Sequence, residues 1–97
     1  MPDAPSPGDV ITIAHDSVSW TPADDGSAVI LDLRTSTYLS LNGSASLLWR
    51  RLADGATTTA LAQSLQTEFG LDEPTATADV GEFVADLDAR GLIEVRP

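Results

Sequence analysis

The sequence predicts a small α+β domain, with short antiparallel strands first and three helices after them. Three observations carry this. Two β-rich runs, Ala28 to Leu33 and Tyr38 to Leu41, flank a short polar stretch, Arg34 to Thr37, suited to a hairpin. After Asn42 the apolar spacing changes from alternation to helical periodicity and keeps it almost to the end. The chain has 97 residues, which suits one domain with a small core, expected over residues 10–97 after a loose tail at 1–9.

Ile11-Thr12-Ile13 and Val18-Ser19-Trp20 read as strand material interrupted by a bend or bulge near His15-Asp16. Thr21 to Ser27 is a turn by composition: Pro22 fixes φ and Gly26 permits unusual backbone angles. Ala28 to Leu33 is the second strand, with Val29, Leu31 and Leu33 on one face. Tyr38 to Leu41 is the third, placing Leu39 and Leu41 opposite Tyr38 and Ser40. These strands are expected to form an antiparallel meander of three.

Asn42 has the chemistry of a helix N-cap, because its side-chain oxygen can accept from a first-turn amide. The first helix runs to about Ala53, with Ala45, Leu48, Trp49 and Leu52 on one stripe and Asp54-Gly55 closing it. Thr57 or Thr58 caps a second helix carrying Leu61, Ala62, Leu65 and Phe69, and Gly70 stops it. Pro74 falls in the first turn of a third helix, where its missing amide costs nothing. Its stripe is Val80, Phe83, Val84 and Leu87, and Arg90-Gly91 ends it. Leu92 to Val95 returns to alternation as a last short strand or wing.

Composition excludes several kinds of chemistry. There is no cysteine, hence no disulfide, thiolate nucleophile or thiolate metal site. A single histidine, His15, cannot build a multi-histidine zinc site, and no lysine is present for Schiff-base chemistry. Nothing in the spacing joins Asp32 with Glu94 or Asp16 into an acid pair. No catalytic residue and no cofactor is expected. The net charge of −10, five arginines against fifteen carboxylates, disfavours nucleic acid and anionic membrane and favours basic peptide or protein partners. No run approaches the roughly 18–20 apolar residues of a membrane span, and the first residues have no signal-peptide pattern, so a cytoplasmic location is expected.

Three strands, three helices and a terminal extended segment make a winged-helix-like arrangement, the alternative being a helical bundle with an N-terminal hairpin. A sheet ending in a hairpin can leave its last strand with one free edge, a template for an extended peptide or for a second copy of the chain. The residues that surround this hairpin also resemble a known family. Gly26, Val29-Ile30-Leu31-Asp32, Arg34, Tyr38 and Leu41-Asn42 resemble the PqqD-like peptide-recognition domains, and more narrowly the stand-alone leader-recognition proteins of lasso-peptide biosynthesis. Leu48-Trp49, Asp54-Gly55, Leu61, Leu65, Phe83-Val84, Leu87 and Gly91-Leu92-Ile93 continue the pattern, so that it spans roughly Trp20 to Val95. One departure stands out: many relatives have a glycine near Ser36, and this chain has none between Arg34 and Tyr38.

The resemblance implies a protein that performs no chemistry. It binds the leader segment of a ribosomally made precursor peptide as an added antiparallel strand and brings it to a leader peptidase and then a macrolactam synthetase. The alternatives are a chaperone for a radical enzyme of the quinone-cofactor type and a winged-helix transcription factor. The second of these lacks a basic third helix, which carries Arg90 among several carboxylates. The implied contact strand is Thr37, Tyr38, Leu39, Ser40 and Leu41, and the implied cleft wall is the helix of Val80, Phe83, Val84 and Leu87. Each residue also has a plainer reading. Tyr38 either stacks on the peptide or shields the sheet. Leu39, Leu41 and the third-helix stripe are core as readily as contact. Asp79, with Glu82 and Asp86, either receives basic groups or is a solvated face. Arg34 either pairs with an acidic leader residue or points into water. A monomer or a weak homodimer is expected.

Overall fold

A computed structural model describes residues 8–23 and 25–96. Residues 1–7, most of the expected tail, lie outside the described residues. The elements in order are β1 (Val10–Ile13), β2 (Val18–Pro22), β3 (Ala28–Asp32), β4 (Thr37–Leu41), α1 (Gly43–Asp54), α2 (Thr58–Phe69), α3 (Glu73–Ala89) and β5 (Ile93–Arg96). The mixed α+β class and the three helices are as the sequence predicts.

The strand count differs. The first strand region is two strands in two sheets. β2, β3 and β4 form the meander, in that spatial order, while β1 pairs antiparallel with β5. The break at Ala14 to Ser17 is a turn closed by the Ser17 amide donating to the Ala14 carbonyl at 2.8 Å. It redirects the chain from one sheet to the other. β1 also exchanges two backbone bonds with Ala56, at 2.8 and 3.0 Å, so the α1–α2 junction braces its other side. The terminal strand is thus a partner of the first one, a long-range pairing that no local pattern announces.

Helix ends follow their capping chemistry. Asn42, Thr57 and Asp72 each accept from a first-turn amide, those of Ala45, Ala60 and Thr75. The hydrogen bonds from Thr75 hold the Asp72 carboxyl below its usual range. The core gathers one stripe from each helix and the inner faces of both sheets. Trp49, Leu52, Leu61, Leu65, Val80, Val84 and Leu87 are all buried, with Ile11, Ile13 and Ile30 beneath them. Trp49 packs edge-to-face with Trp20 across the α1–β2 contact, ring centroids 6.4 Å apart. Four residues from the expected apolar faces sit apart from this core. Phe69, at the end of α2, is largely exposed, and Val29, Leu31 and Leu33 form the outer face of the sheet, Leu33 being 51% exposed. The inward residues of β3 are Ala28, Ile30 and Asp32.

Candidate functional site: an open strand edge beside a cleft

The register of the meander fixes which backbone groups are free. Leu33 donates its amide to the Ser17 carbonyl at 2.9 Å, and Ala23 donates to Ser27 at 2.8 Å. In an antiparallel ladder both polar groups of one residue point the same way, and the direction alternates along the strand. Residues 29, 31 and 33 therefore turn their backbone groups toward β2, and Ala28, Ile30 and Asp32 turn theirs toward β4. The β4 partners of those three are Leu41, Leu39 and Thr37. Tyr38 and Ser40 consequently direct their amides and carbonyls away from the sheet, along its open side. Among the described residues no strand pairs with that side of β4.

The two edges of the meander are not alike. On β2 the outward residues are Val18, Trp20 and Pro22, and Pro22 has no amide to offer, a common way to blunt an edge. β4 reads Thr-Tyr-Leu-Ser-Leu, without proline or charge. Of the two, β4 is the edge suited to accept another backbone.

A cleft of about 250 Å³ adjoins it, lined by Ile30, Asp32, Thr35, Thr37, Leu39, Arg90 and Leu92. Its floor is the inward face of β3 and β4, and its far wall is the C-terminal end of α3 with the turn after it. The apolar members, Ile30, Leu39 and Leu92, suit aliphatic side chains, and the polar groups cluster at the hairpin end.

At that end Asp32 is 9% exposed yet keeps its charge. Burial pushes its carboxyl up; the Arg34 amide and guanidinium, with Thr35, outweigh that and hold it below the usual carboxylate range. The Arg34 amide donates to Asp32 Oδ1 at 3.0 Å, shaping the turn, and the Arg34 Nε lies 3.6 Å from the same oxygen. Ser36 takes φ of +57°, so the left-handed position of this turn is held by a serine. The hairpin register survives the missing glycine.

The structure places the residues named from sequence in five different settings. Thr37 and Leu39 line the cleft. Tyr38, at 70% exposure, and Ser40 stand on the outer face of the edge strand. Leu41, Val80, Val84 and Leu87 are buried in the core, each at 8% exposure or less, so they set the position of β4 and α3. On α3, Phe83 is half-buried against the core and Asp79 is exposed, and neither is among the residues lining the cleft. Arg34 reaches the end of α3: its Nη2 donates to the Arg90 carbonyl at 2.8 Å and the Gly91 carbonyl at 3.2 Å. Asp86 pairs with Arg90 at 3.2 Å instead of facing solvent alone.

Sequence reasoning did not name Ile30, Asp32, Thr35, Arg90 or Leu92 as lining residues. The inward alternation of β3 pointed to Ile30 and Asp32 once the sheet was placed. Arg90 and Leu92 come from the far end of the chain and depend on tertiary placement.

The sequence profile described as "Coenzyme PQQ synthesis protein D (PqqD)" matches residues 27–93. No curated protein shows significant similarity. Among solved structures, the chain is similar to TbiB1 in complex with the TbiA(beta) leader peptide, at 30% identity and a TM-score of 0.78, covering 86% of this chain and 94% of that one. It is also similar to lasso peptide synthetase B1 complexed with the leader peptide, at 30% identity and a TM-score of 0.75, covering 87% and 96%. The fold, at 21% identity and a TM-score of 0.72, is shared with the PqqD truncation of Methylobacterium extorquens PqqCD, a stand-alone RiPP recognition element, over 94% and 95% of the two chains. The profile match takes in the hairpin, all three helices and the start of β5. By that match and by its solved relatives, the chain belongs to the PqqD family.

Proposed function

We propose that this protein binds the leader segment of a ribosomally synthesised precursor peptide by strand addition at β4 and presents it to a maturation enzyme. The observation that carries this reading is the outward-facing pair Tyr38 and Ser40 on an unblunted edge beside the cleft. A peptide backbone laid there forms main-chain bonds with those two residues, and alternate side chains enter the cleft over Ile30, Leu39 and Leu92. Main-chain bonds supply affinity and the cleft supplies choice of sequence. Binding performs no covalent step; its effect is to raise the peptide's local concentration at a partner enzyme. Arg34, Thr37, Tyr38, Leu39 and Ser40 act at the site in this reading, and Phe83 and Asp79 on α3 are proposed as further contacts outside the cleft lining.

The two neighbours at 30% identity are both leader-peptide complexes, and one of them is a lasso peptide synthetase B1. That supports lasso-peptide maturation as the setting, with a leader peptidase and then a macrolactam synthetase as the proposed enzymes served, in the cytoplasm. No described helix is long and apolar enough to cross a membrane. The test is a pull-down of the precursor peptide encoded beside this protein, with a scrambled leader as control. Capture of the native leader alone is expected; equal capture of the scrambled one, or of neither, refutes the reading.

A further inference from the structure

Arg34 links two parts of the chain 56 and 57 residues apart, the β3–β4 turn and the end of α3. The Arg90 and Gly91 carbonyls that it holds lie where a helix runs out of internal donors. Gly91 sits at φ +72°, and a Cβ there would run into the Arg34 guanidinium. Glycine thus suits the left-handed turn and leaves room for the approach of the arginine. The link joins the two walls of the cleft, Asp32, Thr35 and Thr37 on one side, Arg90 and Leu92 on the other. Outside its own sheet β4 packs mainly on α1, and α3 packs mainly on α2, with both reaching one shared core. Among the described residues no other side-chain hydrogen bond ties this hairpin turn to the helix end.

We infer that Arg34 is a positioning residue for peptide binding, a strut that fixes the separation of the cleft walls. This deepens the proposed leader-binding role and rests on it. An added strand must sit about 4.8 Å from β4 while its inward side chains meet the far wall, so both distances have to be right at once. A guanidinium can hold Asp32 on one side and two carbonyls on the other because its donors lie in a rigid plane; an ammonium is a point charge without that fork. Without the strut only a fraction of molecules holds the competent spacing, and the apparent affinity falls by that fraction. The same logic places the loss in the association rate. Direct pairing of the half-exposed Arg34 with an acidic leader residue would instead give a salt-dependent loss and would spare Arg34→Lys, which keeps the charge.

The chain has no cysteine, so Leu33→Cys with Asp88→Cys gives clean sites for a spin-label pair across the link. Arg34→Ala is expected to broaden the label distance distribution and to slow association with a synthetic leader about three- to tenfold at nearly constant dissociation rate. Arg34→Lys is expected to fall between, and Arg50→Ala, on the exposed side of α1, to match wild type. An unchanged distribution, or a loss confined to the dissociation rate, overturns the strut. Should Arg34→Ala fail to fold, the same two readouts on Arg34→Lys decide the matter. Failure of wild type to bind the leader overturns the peptide site and the positioning role with it, while the label distances still report whether Arg34 joins the walls.

Discussion

Two proline substitutions one residue apart separate binding at the β4 edge from stability of the sheet. The ladder places the Leu39 amide toward Ile30 and the Ser40 amide toward open solvent. Leu39→Pro removes a donor from inside the meander and leaves the buried Ile30 carbonyl short of a partner, a cost of about 1–3 kcal/mol on top of the disturbed strand. That is a large share of the stability of a domain this size, roughly 5–10 kcal/mol at 0.05–0.1 kcal/mol per residue. Ser40→Pro removes a donor that no internal partner uses, and edge strands tolerate proline at such positions. Its effect falls on the incoming peptide, which loses one main-chain bond of about 0.5–1.5 kcal/mol and meets the ring as well. A tenfold loss of affinity, about 1.4 kcal/mol, is therefore the expected scale. Urea unfolding followed by circular dichroism reads the first effect, and titration calorimetry with a synthetic leader reads the second. Ser40→Pro that folds and still binds as wild type would refute the assigned direction of the edge amides.

Four further outcomes are expected. Ser36→Gly relieves a left-handed serine and should raise stability by about 0.5–1 kcal/mol, with a thermal midpoint several degrees higher. Leu87→Ala empties a buried core position and should cost about 2–5 kcal/mol in urea unfolding, whereas Phe83→Ala, at a half-buried site, should cost less and weaken leader binding. The lowered carboxyls of Asp32 and Asp72 contribute stability that is fully present above their unfolded values, near pH 4, and is lost as pH falls through the lower folded values. Acid titration by circular dichroism should show Asp32→Asn less sensitive than wild type across that window. Leader affinity should change little between low and high salt, because main-chain bonds and an apolar cleft carry it; a steep salt dependence would point to the acidic surface as the contact.

The parts of the fold that were legible in the sequence are those set by local chemistry. Asn42, Thr57 and Gly70 mark helix ends because capping and left-handed φ are properties of single residues. The hairpin was legible because its two strands are neighbours in sequence. The split between β1 and β2 was not, since the pairing of Ile11 with Val95 joins opposite ends of the chain. The cleft has the same character. Thr37 and Leu39 follow from strand alternation, but Arg90 and Leu92 enter only when α3 has been laid across the core. Arg34 shows the limit most clearly: composition suggests a solvated turn residue, and its partners are backbone carbonyls, which no sequence pattern advertises. The wide apolar stripe of α3 similarly conceals that Val80, Val84 and Leu87 are spent on the core.

The most direct measurement is amide hydrogen exchange, residue by residue, with and without a synthetic leader. On addition of the peptide the Tyr38 and Ser40 amides should slow sharply, while Leu39, already bonded within the sheet, changes little. Exchange at Tyr38 and Ser40 that stays fast at saturating peptide, with protection arising along β2 or the outer face of α3, would contradict strand addition at β4.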